Sequence, residues 1–164
     1  MVGTRSWRAR TIGALASMVM LVGIAGPAAA ASEPAFVLDF PAGLACQFEL
    51  QVTGYGNGAP VYKEFGDGAV LNSGKGFALT YTNVASGASI STKAGGAASW
   101  TTTNEDGSGL ITLTGSNVVI LFPADGGPST VVYTGRALID VASGGAWTVQ
   151  SVPPTSLDVC AALS

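Results

Sequence analysis

The chain of 164 residues contains no histidine. That one absence removes Ser-His-Asp and Cys-His nucleophilic catalysis, a histidine general base and histidine metal ligation together. Charge is also scarce, at 10% of residues, while 48% are hydrophobic, which excludes a disordered polyelectrolyte. Cysteine is limited to Cys46 and Cys160. No stretch past residue 31 carries a long helical period, and no GK[ST] ending follows the glycines at 54–58, so a phosphate loop is excluded.

Basic residues are few, and three of the seven sit at the very start, as Arg5, Arg8 and Arg10. They precede an apolar run over 11–25, then Gly26-Pro27 and Ala28-Ala29-Ala30-Ala31. A basic start, a short apolar core and an A-x-A site define a secretory signal peptide. The core, about 15 residues, is short of the roughly 20 that span a bilayer. Cleavage is expected after Ala30 or Ala31. The reading is therefore a signal peptide over 1–31, a lead-in over 32–45 and a single β-domain over 46–164. Without the signal, four basic residues stand against ten acids, a net charge of −6. Scattered Lys63, Lys75, Lys93 and Arg136 make no polybasic patch, so neither nucleic acid nor a membrane is an expected partner.

An even cysteine count in a secreted chain predicts a Cys46–Cys160 disulfide. It closes almost the whole domain, worth about 4–5 kcal/mol in the chain-entropy picture.

What the sequence does have is β-pattern and turn chemistry. Residues 46–53 alternate without a break, with Cys46, Phe48, Leu50 and Val52 on one face. Such a period marks a half-buried antiparallel strand. Glycine-centred turns recur about every ten residues and separate strands expected at 62–65, 77–82, 88–93, 98–103, 110–114, 118–122, 131–141 and 147–152. Phe36–Phe40 reads as a short edge strand. The apolar run at 118–122 reads as a central strand buried on both faces or one lying under the tail. Pro153-Pro154 ends the last strand, and Ser156 is a candidate cap for one helical turn carrying Cys160. The expected fold is all-β: an antiparallel meander forming a closed or partly open barrel, with a two-sheet sandwich as second choice.

Candidate sites are few. Among the acids, Glu64 and Asp140 stand mid-strand without a local reason, Glu49 lies on the polar, solvated face of its strand, and Asp67, Asp106 and Asp125 precede glycines. The cluster Asn104-Glu105-Asp106-Gly107-Ser108 offers oxygens to calcium, but a hairpin turn accounts for it better. No cofactor and no metal are expected. Tyr55, Tyr62, Tyr81, Trp100, Tyr133 and Trp147 are candidates for a sugar-stacking platform. Parity places both tryptophans in the core, beside Ala98 and Val149. Tyr55, Tyr62 and Arg136, the sole arginine past residue 31, are then the ligand-binding candidates.

The segments 117–125, Gly127-Pro128-Ser129-Thr130, Tyr133-Thr134-Gly135-Arg136 and Asp158-Val159-Cys160-Ala161-Ala162-Leu163-Ser164 carry a resemblance. They resemble a group of small secreted proteins of unknown function from high-GC Gram-positive bacteria. The resemblance spans 46–164 and implies secretion, with no activity or site to transfer. The functional expectation is a non-catalytic extracellular or wall-associated binding or structural module, whose partner is an extracellular ligand or wall component. A lipocalin-like carrier of a small apolar ligand and a carboxylate-based hydrolase are the alternatives.

Overall fold

The computed structural model describes residues 33–164. The expected signal segment, with its cleavage site at Ala30 and Ala31, lies outside them. The chain forms twelve strands among the described residues: β1 (Phe36–Phe40), β2 (Leu50–Tyr55), β3 (Ala59–Glu64), β4 (Val70–Lys75), β5 (Ala78–Asn83), β6 (Ser89–Thr92), β7 (Gly96–Thr103), β8 (Gly109–Leu121), β9 (Ser129–Thr134), β10 (Ala137–Val141), β11 (Trp147–Ser151) and β12 (Thr155–Asp158). A single helical turn, α1 (Val159–Ala162), ends the chain. No helix among the described residues is long and apolar enough to cross a membrane.

All pairings are antiparallel. One sheet runs β1-β2-β5-β6; the other runs β11-β10-β8-β7-β4-β3, with β9 and β12 added on the far half of β8. Neither sheet closes on itself, so the preferred barrel is replaced by two open sheets, the arrangement of a sandwich. The reason lies in β8. It is a thirteen-residue strand where two were expected, because the 115–117 turn signal does not turn the chain. Residues 109–115 pair with β7, and residues 116–121 pair with β9. The break is Gly115, at φ +82°, where a Cβ would strike the Gly96 carbonyl oxygen. Only glycine combines that backbone with that approach. The strand thus bends out of one layer into another and ends the circuit that a barrel needs.

Two cores follow from this bend. The first lies between the β1-β2-β5-β6 sheet and the β8–β9–β12 part of the other. It joins Leu50, Val52, Tyr81, Val132, Val159 and Leu163. Leu50 is fully buried, a change worth about 1.5–3 kcal/mol for such a side chain. The second core is formed by Ile111, Leu113, Val119, Tyr133, Ala137 and Ile139, from both halves of β8 with β9 and β10. β9 serves both, with Val132 on one side and Tyr133 on the other. The 118–122 run does likewise, with Ile120 against the first core and Val119 and Leu121 in the second.

The Cys46–Cys160 bridge is present, with Cα atoms 5.4 Å apart. It ties the β1–β2 loop to α1 across the first core. The loop is fixed twice more: Thr130 Oγ1, fully buried, donates to the Ala45 carbonyl at 2.9 Å, and Ala45 is itself buried. Asn83 Nδ2 donates to the Leu163 carbonyl at 3.0 Å and anchors the tail.

Several expectations are corrected. Residues 46–49 are irregular and the strand begins at Leu50, because the bridge and the Thr130 contact hold the loop away from ladder geometry. β4 was hidden by its glycine: Gly74 lies where a Cβ would meet the Ala59 carbonyl oxygen of β3, a close approach within a strand and not a turn. The strand expected over 131–141 is two strands, split at Gly135 and Arg136. The helix cap is Asp158, whose carboxylate accepts from Ala161 N at 2.9 Å, while Ser156 belongs to β12. Trp100 and Trp147 are not core residues, at 37% and 36% exposure. On β7 the inward face is the Ser/Thr face, since Ser99 pairs with Leu113 and Thr101 with Ile111, both buried. Trp147 is on the inward side with Val141 and Ile139, but as the first residue of β11 it borders a shallow hollow with Ile120, Phe122 and Asp125 and stays part-exposed.

Candidate functional site

The strand register sets out the outer face of the long sheet. Lys63, Leu71, Trp100, Thr112 and Leu138 stand directly opposite one another across β3, β4, β7, β8 and β10. Directly opposed residues share a face of a sheet. One step along the strands a second row reads Thr102, Leu110, Asp140 and Thr148. The rows are about 7 Å apart, and neighbouring strands about 4.8 Å. This face is opposite the one that bears Ile111, Leu113 and Ile139, and among the described residues no second layer packs on it.

The second row lines a shallow groove of about 600 Å³, completed by Gln150 of β11 and by Asn104 and Ser108 of the β7–β8 turn. Its functional groups are hydroxyls, primary amides and one carboxylate, with Leu110 as the apolar floor. The turn is held in shape by its own hydrogen bonds. Asn104 Nδ2 donates to Ser108 Oγ at 2.9 Å, and Ser108 donates to Asp106 Oδ1 through Oγ at 2.6 Å and through N at 3.0 Å. These bonds from Ser108, the side-chain one foremost, hold the Asp106 carboxyl below its ordinary value. Asp106 thereby serves the turn. Among the described residues no three Cys, Asp or Glu side chains gather as metal ligands do.

Trp100 stands beside this groove, two residues from Thr102 on the same face. Phe65 packs against it, with ring centroids 4.8 Å apart, and Lys63 Nζ sits 4.7 Å above the Phe65 ring. The indole is thus braced on one side and open on another. A braced, part-exposed aromatic next to a field of hydroxyl and amide groups can stack on an apolar ring face while hydrogen-bonding its edges.

The three binding candidates read from the sequence are not gathered. Tyr55 ends β2 in the other sheet, half-buried opposite Ala78. Tyr62 is 65% exposed on β3 but opposite Asn72, on the reverse face from Trp100. Arg136 is exposed in the two-residue β9–β10 link. The candidate acids are also apart. Asp140 faces the groove from β10, Glu64 closes β3 four strands away, and Glu49 precedes β2 in the other sheet. Four strand spacings make about 19 Å. The sequence signal for this site is present but inverted, since parity alone points Trp100 inward. The groove residues Thr102, Asn104, Ser108, Thr148 and Gln150 carry no shared sequence signal, because only register unites them.

The chain matches no family model, and comparison with curated proteins and with solved structures returned no significant match.

Proposed function

We propose that this protein is a non-catalytic extracellular binding module that recognises neutral glycans on the outer face of its long sheet. The carrying observation is the alignment of Trp100 with the groove of Thr102, Asn104, Ser108, Asp140, Thr148 and Gln150. Hydroxyls and amides both donate and accept, which suits a ligand made of hydroxyl groups. Asp140 accepts two hydroxyl donors, and charge-assisted bonds of that kind are the stronger ones. The acidic balance of the chain past residue 31 disfavours anionic polymers by long-range repulsion. The disulfide supports an oxidising compartment, consistent with the secretory pattern of the first 31 residues.

A hydrolase needs two carboxylates about 5–10 Å apart around one bond, and the separation of Asp140 from Glu64 and Glu49 speaks against that reading. A lipocalin-like carrier needs a calyx inside a closed barrel, and neither of the two open sheets closes into one.

The test is retention on insoluble neutral polysaccharides, including cell-wall material, followed by elution with soluble oligosaccharides. Retention that soluble oligosaccharide reverses is expected; absence of retention across such a panel refutes the proposal.

A further inference from the structure

The indole of Trp147 takes no part in the glycan face. Trp147 and Thr148 are consecutive on β11, so they point to opposite faces of the sheet, and Thr148 is the one that lines the groove. On its own side Trp147 borders a hollow of about 290 Å³ with Ile120, Phe122, Asp125 and Gly145. Phe122 and Trp147 are 37% and 36% exposed, so each leaves over a third of its surface open. Phe122 is backed by Phe40, with ring centroids 6.4 Å apart. Gly145 brings no side chain, and a Cβ there would meet open space.

The charged group in this lining is Asp125. Its Oδ1 accepts from Trp147 N at 2.8 Å and its Oδ2 accepts from Phe122 N at 3.3 Å. The Phe122 bond belongs to the turn over Pro123–Asp125. The Trp147 bond does not: it reaches 22 positions along the chain and fixes the carboxylate between the backbones of the two aromatic residues. Each carboxylate oxygen has two lone pairs to offer, so each keeps one. None of Lys63, Lys75, Lys93 and Arg136 lines the hollow, and Arg136, the closest of them in sequence, follows the far end of β9. A fixed negative charge thus stands beside two open aromatic side chains with no basic side chain in the lining.

We propose that this hollow binds a quaternary ammonium group, such as that of choline. The methyl groups lie against Phe122, Trp147 and Ile120, and Asp125 supplies the opposite charge. Aromatic side chains attract cations electrostatically, and quaternary ammonium is the cation they suit best. A primary ammonium needs acceptors for three N–H groups, and the side chains here offer one carboxylate that is already engaged twice. A quaternary nitrogen needs none. The site is on the reverse face from Trp100 and does not depend on the glycan reading.

The experiment is calorimetric titration of the folded, oxidised protein at low ionic strength with choline, with its primary-amine counterpart ethanolamine and with its neutral isostere 3,3-dimethylbutan-1-ol. Saturable choline binding in the millimolar range is expected, with both analogues weaker by about fivefold or more. Trp147→Leu and Phe122→Leu keep apolar bulk and remove a ring; Asp125→Asn keeps the Oδ1 acceptor and removes the charge. Each should weaken choline about five- to tenfold, while Tyr62→Ala, an exposed aromatic elsewhere, should leave it unchanged. The analogue comparison uses the parent protein, so it stands even where a variant loses stability. Co-sedimentation with phosphatidylcholine but not phosphatidylglycerol vesicles, reversed by choline, places the ammonium on a lipid headgroup; choline binding without co-sedimentation makes it a soluble ligand. Either analogue binding as tightly as choline, choline affinity indifferent to all three hollow variants, or no saturable choline binding in the millimolar range overturns the proposal.

Discussion

Replacing both cysteines with alanine gives the sharpest energetic test of the fold. The bridge links positions 114 apart in sequence, so it restrains nearly the whole domain in the unfolded state. For a closed loop of about that length the entropic formula gives roughly 4.8 kcal/mol at 25 °C. Removing two sulfurs from the first core, where Cys46 has no exposed surface, adds about 1 kcal/mol. A total of about 5–6 kcal/mol is of the same order as the net stability of many domains. The native loop retains two other holds, the Thr130–Ala45 hydrogen bond and the burial of Ala45, so native geometry survives while the balance shifts. The assay is urea unfolding followed by tryptophan fluorescence, since Trp100 and Trp147 are both part-exposed reporters. With a urea slope of about 2 kcal/mol/M, the midpoint falls by about 2.5 M or the variant is unfolded without urea. A midpoint within about 0.5 M of the parent would refute the reasoning, because the staple would then contribute under ~1 kcal/mol.

Three further outcomes follow. Gly115→Ala should destabilise by about 2–3 kcal/mol, because positive φ and the Gly96 carbonyl both oppose a Cβ there, while Gly144→Ala, facing open space, should stay within about 0.5 kcal/mol in the same unfolding assay. Asn83→Ala removes a buried donor to Leu163 and the acceptor of the Ala85 and Ser86 amides; a loss of about 2–3 kcal/mol is expected, with hydrogen exchange in α1 accelerated. Burial pushes the Tyr81 phenol from 10.0 up to about 12, so the unfolded chain releases its proton first, and stability falls as pH rises from about 10 towards 12. Two pH units correspond to at most ~2.7 kcal/mol, and alkaline unfolding curves of Tyr81→Phe should lack that part of the decline.

Local chemistry told much of this fold in advance, and non-local contact decided the rest. The alternation at 46–53 identified Leu50 and Val52 as core because parity is a local property of a strand. The Cys46–Cys160 bridge was legible because only two cysteines exist. The barrel was not excluded by sequence, since a glycine within a strand and a glycine in a turn look alike. At Gly115 the chain stays in β8, paired with Ala97, and the Gly96 carbonyl, nineteen positions away, lies where a Cβ would sit. β4 was obscured in the same way, by a glycine whose reason is the neighbouring strand. The Trp100 inversion has a related cause: parity says that two faces exist, but which one is covered depends on what Ser99 and Thr101 stand opposite. The groove depended on register across β7, β8, β10 and β11, which no single segment encodes.

The central claim is that the Trp100 face recognises glycan hydroxyls. The most direct measurement is a binding isotherm on the polysaccharide that retains the parent protein, repeated for Trp100→Ala, Asp140→Asn and Tyr62→Ala. The account predicts that the first two weaken binding at least tenfold, about 1.4 kcal/mol or more, while Tyr62→Ala on the reverse face changes nothing. Unchanged binding by a correctly folded Trp100→Ala variant would contradict it.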